Sequence, residues 1–202
     1  MSTNYEYDPD AAGKADDVAS RIDQSAAYVG KFKVVHAFKS SKGTEGLHFE
    51  FQSPGGGSAG FDVYTRKEDG SVVFGMNQVQ AMMAILGLRG LRAVDGKFEA
   101  YDFEEGKRVE KSGEVFPDLC DKDIGLVLQK EKYTKGNGQE GFRMNLFGVF
   151  HPVTKFTASE LKERKSTPEK LEKMLRSLKD KDSRRAIAPE PAQPTVGVEG
   201  GY

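Results

Sequence analysis

Residues 28–51 read YVGKFKVVHAFKSSKGTEGLHFEF and contain two segments of alternating polarity around a turn-rich stretch. One face of the first segment is predicted to carry Tyr28, Phe32, Val34, His36 and Phe38. The other face carries Lys31, Lys33 and Lys39. In the second segment Leu47, Phe49 and Phe51 alternate with polar residues. Because successive side chains of a β-strand point to opposite faces, this period predicts two amphipathic strands joined by a turn.

Three later segments repeat the alternation, and one segment between them changes period. The later strands are predicted in FDVYTR (61–66), DIGLVLQKEKY (123–133) and FRMNLFGVF (142–150). In residues 77–87 the apolar positions recur at helical spacing, which predicts one core helix with Asn77 as its N-cap and Gly87 at its end. Residues 88–120 follow neither period and are interpreted as a charged, irregular insertion.

The order of these elements is three strands, one helix and two strands. It predicts a mainly β fold, namely a five-stranded antiparallel OB-type barrel with one core helix. A generic antiparallel sandwich or an α+β sheet shares this order and stays open as an alternative. The chain is divided into an acidic N-terminal arm (1–26), the OB-fold nucleic-acid-binding domain (27–156), a helical basic extension (157–187) and a disordered tail (188–202).

The helical extension has recognisable start signals. TASE (157–160) fits a capping box, and Ser166 or Thr167 is the predicted cap of a second helix with Pro168 in its first turn. That helix is predicted to carry an apolar stripe of Leu171, Met174, Leu175 and Leu178. Residues 160–185 hold ten basic and six acidic residues, whereas residues 1–23 hold six acidic and two basic ones. The two ends of the chain therefore have opposite charge.

Composition and motifs favour a cytoplasmic protein without a catalytic or metal-binding site. The net charge is −1, no apolar run reaches the roughly 18 residues of a membrane span, and the first ten residues are acidic. Cys120 is the only cysteine, so no intrachain disulfide can form. The glycine loop 55–60 lacks the Gly-Lys-Ser/Thr ending of a phosphate-binding loop. No catalytic residue, metal ligand or cofactor is predicted. A third possibility is a metal-dependent nuclease that uses Asp118, Asp121 and Asp123.

Basic and aromatic residues together carry the functional prediction. Two turns resemble one another, KSSKG at 39–43 and KYTKG at 132–136, and in an OB barrel these two loops flank the nucleic-acid groove. Lysines there would contact phosphates, and exposed rings would stack on bases at about 1–3 kcal/mol each. The predicted binding residues are Lys31, Lys33, Lys39, Lys42, Tyr64, Arg66, Lys132, Tyr133, Lys135, Arg143 and Phe147.

The chain resembles the single-stranded DNA-binding proteins encoded by bacteriophages. The matching features are residues 26–51, the helix region VVFGMNQVQAMMAILGLRG (72–90) and the late hairpin 123–150. The resemblance implies a protein that coats single-stranded DNA during replication or recombination, in the host cytoplasm and without catalysis. It implies replication or recombination proteins and a second copy of the chain as further partners. The acidic tail of many such proteins is not matched here, because residues 186–202 contain only Glu190 and Glu199 as acids.

The runner-up function is a non-catalytic protein-interaction module. In that hypothesis the barrel is a scaffold, and the apolar stripe of the C-terminal helix docks on a partner.

Overall fold

The computed structural model describes residues 21–102 and 107–184. The first 20 residues of the predicted arm, residues 185–187 of the predicted extension and the whole predicted tail (188–202) lie outside the described residues. The described end of the arm is part of the fold, because Ile22 is buried and its backbone N–H donates to the carbonyl of Ser58 at 2.7 Å.

The described residues form a mainly β structure. The strands are β1 (Ala26–Lys39), β2 (Glu45–Gln52), β3 (Ser58–Arg66), β4 (Val94–Asp102), β5 (Lys107–Val115), β6 (Asp123–Thr134), β7 (Glu140–Phe150) and β8 (Lys181–Asp182). The helices are α1 (Phe74–Ile85), α2 (Ala158–Lys162) and α3 (Lys170–Ser177), with a 3-10 turn at Pro117–Leu119. None of these helices has the length and apolar character that crossing a membrane requires.

All eight strands belong to one sheet that is not closed. Its order is β3-β2-β1-β5-β4, and β1 also pairs with β6, which pairs with β7. These pairs are antiparallel, and only the two-residue β8 joins β6 in parallel. The five predicted strands correspond to β1, β2, β3, β6 and β7. The prediction of only five strands was wrong, since β4, β5 and β8 are added to them.

The core follows the alternation of the inner strands. In β3 every second residue is buried, including Phe61, Val63 and Thr65, as the sequence predicted. The ring of Phe49 stacks on that of Phe61 with centroids 5.3 Å apart. Helix α1 packs on β3 and β7, which are neighbours in space but are not hydrogen-bonded to each other. This arrangement leaves the outer face of β1, β2 and β3 facing away from the core.

The predicted faces of β1 are correct only in its first half. A register shift between Phe32 and Val34 interrupts the pairing with β2. Because such a bulge adds one residue, the inward positions change from Phe32 to Val35, and His36 and Phe38 turn to the outer face. The prediction that Val34, His36 and Phe38 share the face of Phe32 was therefore wrong.

Helix α1 begins three residues before the predicted Asn77 cap. Its N-cap is Val73, whose N–H donates to the carbonyl of Thr65 at 3.0 Å. A Cβ atom on Gly75 would lie 2.0 Å from the carbonyl oxygen of Tyr64, so this glycine lets the first turn rest directly on β3. Contact with β3 rather than a side-chain cap positions the start of the helix.

One buried carboxylate organises both C-terminal helices. Thr157 and Glu160 form the predicted capping box of α2, which confirms that part of the sequence analysis. The other Glu160 oxygen accepts the backbone N–H groups of Glu169 and Lys170 at 2.7 and 2.8 Å. Helix α3 therefore begins after Glu169. The prediction of Ser166 or Thr167 as its cap was wrong, because Glu160 from α2 provides the acceptor.

The predicted irregular insertion contains a regular hairpin. Strands β4 and β5 pair over nine consecutive positions, from Val94 with Val115 to Asp102 with Lys107. No described side chain of β5 is buried, so both of its faces are accessible and no apolar alternation marks it. For this reason the hairpin was missed in the sequence.

Candidate nucleic-acid interface

The outer face of β1, β2 and β3 carries an aromatic pair beside the β1–β2 turn. Phe38, Gly46 and Tyr64 are cross-strand neighbours. The rings of Phe38 and Tyr64 meet edge to face over β2, with centroids 5.3 Å apart. A Cβ atom on Gly46 would lie 2.7 Å from the Phe38 ring, so the glycine is what allows that ring to cross β2. Tyr64 is 45% exposed and presents its ring to solvent.

The next row on this face contains His36, His48 and Asp62. The two imidazole rings have centroids 5.0 Å apart, and Nδ1 of His48 lies 2.6 Å from Oδ1 of Asp62. The ring of Phe98, from β4, stacks on His36 with centroids 3.8 Å apart and planes 12° apart. This cover leaves His36 only 7% exposed, and burial lowers its pKa. His36 is therefore a covered residue of the outer face and not a core residue.

Strands β6 and β7 add a tyrosine and an arginine to the same surface. The Cζ atom of Arg143 lies 5.6 Å from the centroid of the Tyr133 ring, within cation–π range. The hydrogen bond to Glu131 is the main cause that raises the pKa of Arg143, and the nearby Tyr133 and Tyr64 contribute. Arg143 thus contacts Tyr133 and is within electrostatic range of Tyr64. These three predicted binding residues belong to β7, β6 and β3.

Arg143 is oriented by a buried acid. Glu131 is 2% exposed, and one of its oxygens accepts from Nε of Arg143 at 3.0 Å and from the amide of Asn145 at 2.7 Å. Its other oxygen accepts from Ser183 at 2.6 Å and from Lys181 at 3.0 Å. The hydrogen bond from Arg143 is the main cause that holds the pKa of Glu131 well below its usual range. The carboxylate fixes the arginine and anchors the β8 segment.

Three of the predicted lysines are engaged in surface ion pairs. They are Lys31 with Asp123 (3.8 Å), Lys33 with Asp121 (3.9 Å) and Lys39 with Glu45 (3.5 Å). Lys31 lies in the half of β1 that pairs with β6, and Lys33 lies at the bulge. Both are six or more residues along the strand from Lys39. The structure therefore separates Lys31 and Lys33 from the aromatic pair beside the turn.

Four other predicted cations have no ion pair with any residue in the described ranges. They are Lys42, Arg66, Lys132 and Lys135. Arg66 follows Tyr64 on the outer side of β3. A Cβ atom on Gly141 would lie 3.0 Å from a side-chain carbon of Lys135 and 3.1 Å from a carbon of the Tyr133 ring. Lys135 therefore lies beside Tyr133 at the β6–β7 turn. These cations are available to an anionic ligand.

Phe147 is not joined to this group, whereas another exposed ring was missed. Phe147 is 36% exposed on β7, and in residues 21–102 and 107–184 no ring contact links it to Tyr64 or Tyr133. Phe74 is 72% exposed at the first position of α1, directly before the glycine that rests on Tyr64. The feature of the sequence that could have indicated Phe74 is the Phe-Gly pair at the start of the helix. Phe38 was missed because its predicted face was wrong.

The structure also describes the aspartates of the nuclease hypothesis and the helix of the interaction-module hypothesis. Asp118 accepts the backbone N–H of Arg92 at 3.1 Å, while Asp121 and Asp123 face lysines of β1. Within the described ranges no group of three His, Cys, Asp or Glu residues is placed to hold a metal ion. On α3 the sulfur of Met174 packs against Gly148 of β7, so part of the apolar stripe faces the sheet.

Comparison with known proteins adds no further assignment. No protein-family model matches this chain, and no curated protein sequence matches it.

Proposed function

We propose that this protein binds single-stranded DNA without catalysis and with little sequence preference, as a bacteriophage protein of DNA replication or recombination. One observation carries the proposal. The half-buried ring of Phe38 pairs with the exposed ring of Tyr64, and Arg143, which contacts Tyr133, is within electrostatic range of Tyr64. Cations without an ion pair among the described residues accompany them on β3 and at the β1–β2 and β6–β7 turns. Single-strand binding by such proteins combines base stacking on aromatic rings with cations that follow the backbone.

The stacking part of this surface does not require a base sequence. Tyr64, Phe38 and Tyr133 offer ring faces and edges, and every nucleobase has a π-face. The neighbouring cations Arg66 and Lys135 are free of ion pairs among the described residues. Backbone phosphates would interact with them through counterion release. Together these two interactions favour unpaired strands over duplexes, in which the base faces are stacked.

The proposal includes an OB-type barrel as the fold. The sequential strands β1, β2 and β3, the helix α1 and the strands β6 and β7 follow OB-fold order, with β1 paired to both β2 and β6. In OB folds the nucleic-acid face lies on the second and third strands between the two hairpin loops. In such a barrel, the ring pair over β2 and the Lys135 turn correspond to those positions, which supports the proposal.

The first test is direct binding. Fluorescence anisotropy of a labelled oligo-dT and of a matching duplex, at low salt, should show binding of the single strand and weaker binding of the duplex. Absence of oligo-dT binding, or an equal affinity for the duplex, would reject the proposed function.

Stacking is tested by substituting one ring at a time. Tyr64→Ala and Tyr133→Ala should each raise the Kd for oligo-dT by roughly 5- to 150-fold, because a stacked base contributes about 1–3 kcal/mol. Phe147→Ala is the matched control, since it removes an exposed ring outside the group and should leave the Kd within about twofold. Equal effects of all three substitutions would contradict the assignment of the surface.

Phosphate contacts are tested by the salt dependence. Changing Lys42, Arg66 and Lys135 together to Ala should flatten the slope of log K against log[salt] by about 2, since each lost contact to a single strand contributes about 0.7. The control changes the ion-paired Lys31, Lys33 and Lys97 to Ala, which removes the same charge. An unchanged slope in the first variant would remove these three cations from the interface.

A further inference from the structure

The β4–β5 hairpin continues the sheet beside β1 and reaches over its outer face. Val115 pairs with His36 of β1, and Arg108 reaches a carboxylate oxygen of Glu50 on β2. The ring of Phe98 also stacks on His36. No described side chain of β5 is buried, so this strand adds no described residue to the core. A two-stranded hairpin is by itself only marginally stable in water.

The Phe98–His36 contact has the geometry of a stacked base. The planes are 12° apart, and the centroids are 3.8 Å apart. The other aromatic pairs of the outer face are tilted or edge to face. The imidazole of His48, on the neighbouring strand, lies 5.0 Å from that of His36 with the two planes 30° apart. A flat nucleobase would stack on His36 as the phenyl ring does.

The ring of His36 lies next to the Phe38–Tyr64 pair. His36 and His48 are opposite each other in the sheet, and Phe38 and Gly46 form the next outward row. Two residues along a strand correspond to about 6.6 Å. A strand bound to Phe38 and Tyr64 would therefore place its neighbouring base at the edge of the hairpin.

We propose that the ring face of His36 is a second base-stacking position, which Phe98 occupies in the free protein and which single-stranded DNA takes by lifting the β4–β5 hairpin. This inference rests on the proposed function. Phe98 then acts as a competitor of the nucleobase. Arg108 and Glu50 hold the hairpin closed until the strand arrives.

The first experiment removes the competitor. Phe98→Ala should lower the Kd for oligo-dT by roughly two- to tenfold, the weight of one aromatic pair. Ser112→Ala is the control, because alternation places it on the opposite face of the same hairpin, and it should leave the Kd unchanged. An unchanged or higher Kd for Phe98→Ala, with the wild type binding oligo-dT, would overturn the inference and leave the proposed function standing. Failure of the wild type to bind oligo-dT would reject both.

A second measurement follows the ring itself and does not require the alanine variant to fold. The chain has no tryptophan, so Phe98→Trp places a single indole on His36. Saturating oligo-dT should change the fluorescence emission of the indole, because the indole then leaves the imidazole of His36. The change should be smaller when His36→Ala is added, because the stack is then already absent. Unchanged emission, while anisotropy reports binding, would overturn the inference.

Discussion

Glu131→Gln is expected to destabilise the protein, although it preserves the size and shape of the side chain. Each oxygen of the buried carboxylate accepts two hydrogen bonds, one pair from β7 and the other from the segment around β8. An amide has only one acceptor oxygen. Its NH₂ group must face two donors in either orientation, so two charge-assisted or polar hydrogen bonds are lost.

The magnitude follows from these two bonds and from the exposure of their partners. Hydrogen bonds to a charged group contribute about 1.5–3 kcal/mol each, and breaking a buried pair costs about 3–5 kcal/mol. The side chains of Arg143 and Lys181 are 59% and 55% exposed, so water solvates them once they are released. We therefore expect Glu131→Gln to lower the free energy of unfolding by about 2–4 kcal/mol, somewhat less than the cost of breaking a fully buried pair. For a chain of this length the Tm should fall by roughly 4–16 °C.

Urea unfolding and a thermal melt at pH 7 measure the effect. Glu172→Gln is the control, because that carboxylate is 68% exposed and pairs only with Arg176 on the same helix. It should cost less than about 0.5 kcal/mol. A loss for Glu131→Gln within about 1 kcal/mol of the control would refute the reasoning, since the buried hydrogen bonds would then contribute little.

The same residue predicts a pH dependence. The folded pKa of Glu131 lies below the value of 4.5 for the free side chain. Its contribution is thus fully present above about pH 4.5 and decreases as the pH falls toward the folded pKa. The wild type should lose stability over this acidic range more steeply than Glu131→Gln, which has no carboxylate to protonate. Parallel curves for the two proteins would contradict this linkage.

Two further predictions concern other positions. Burial alone raises the pKa of Glu160, but hydrogen bonds from the helix N-termini outweigh it and lower the pKa to about 2. Glu160→Gln should therefore reduce the Tm at pH 7, with the difference from the wild type shrinking between about pH 4.5 and 2. Gly46→Ala places a Cβ atom 2.7 Å from the Phe38 ring. It should weaken oligo-dT binding in anisotropy while the far-UV circular dichroism spectrum is retained.

Several elements were predictable because their cause is local or strictly periodic. The burial of Phe61 and Val63 follows from the period of two in β3, and the flanking turns leave the strand no other register. The capping box of Thr157 and Glu160 involves residues three apart in the sequence. In the candidate interface, Tyr64, Tyr133 and Arg143 were found because they lie in strands that the local alternation predicted.

The rest depended on partners that are distant in the sequence. The bulge in β1 changes the side of every later residue, yet it exists only in the pairing of β1 with β2, so Phe38 and His36 were assigned to the wrong face. The β4–β5 hairpin buries no side chain of β5 and therefore leaves no periodic signal.

The amino-acid sequence by itself determined the central strands and most of their buried faces, because period and turn residues act over a few positions. Only the tertiary structure decided that Glu131 is a buried anchor, that Phe98 covers His36 and that the sheet stays open beneath α1. Each of these features joins residues 12 to 62 positions apart in the chain or depends on the pairing of whole strands. The physical reason is that burial and stacking arise from neighbours in space, whereas a sequence pattern reports only neighbours along the chain.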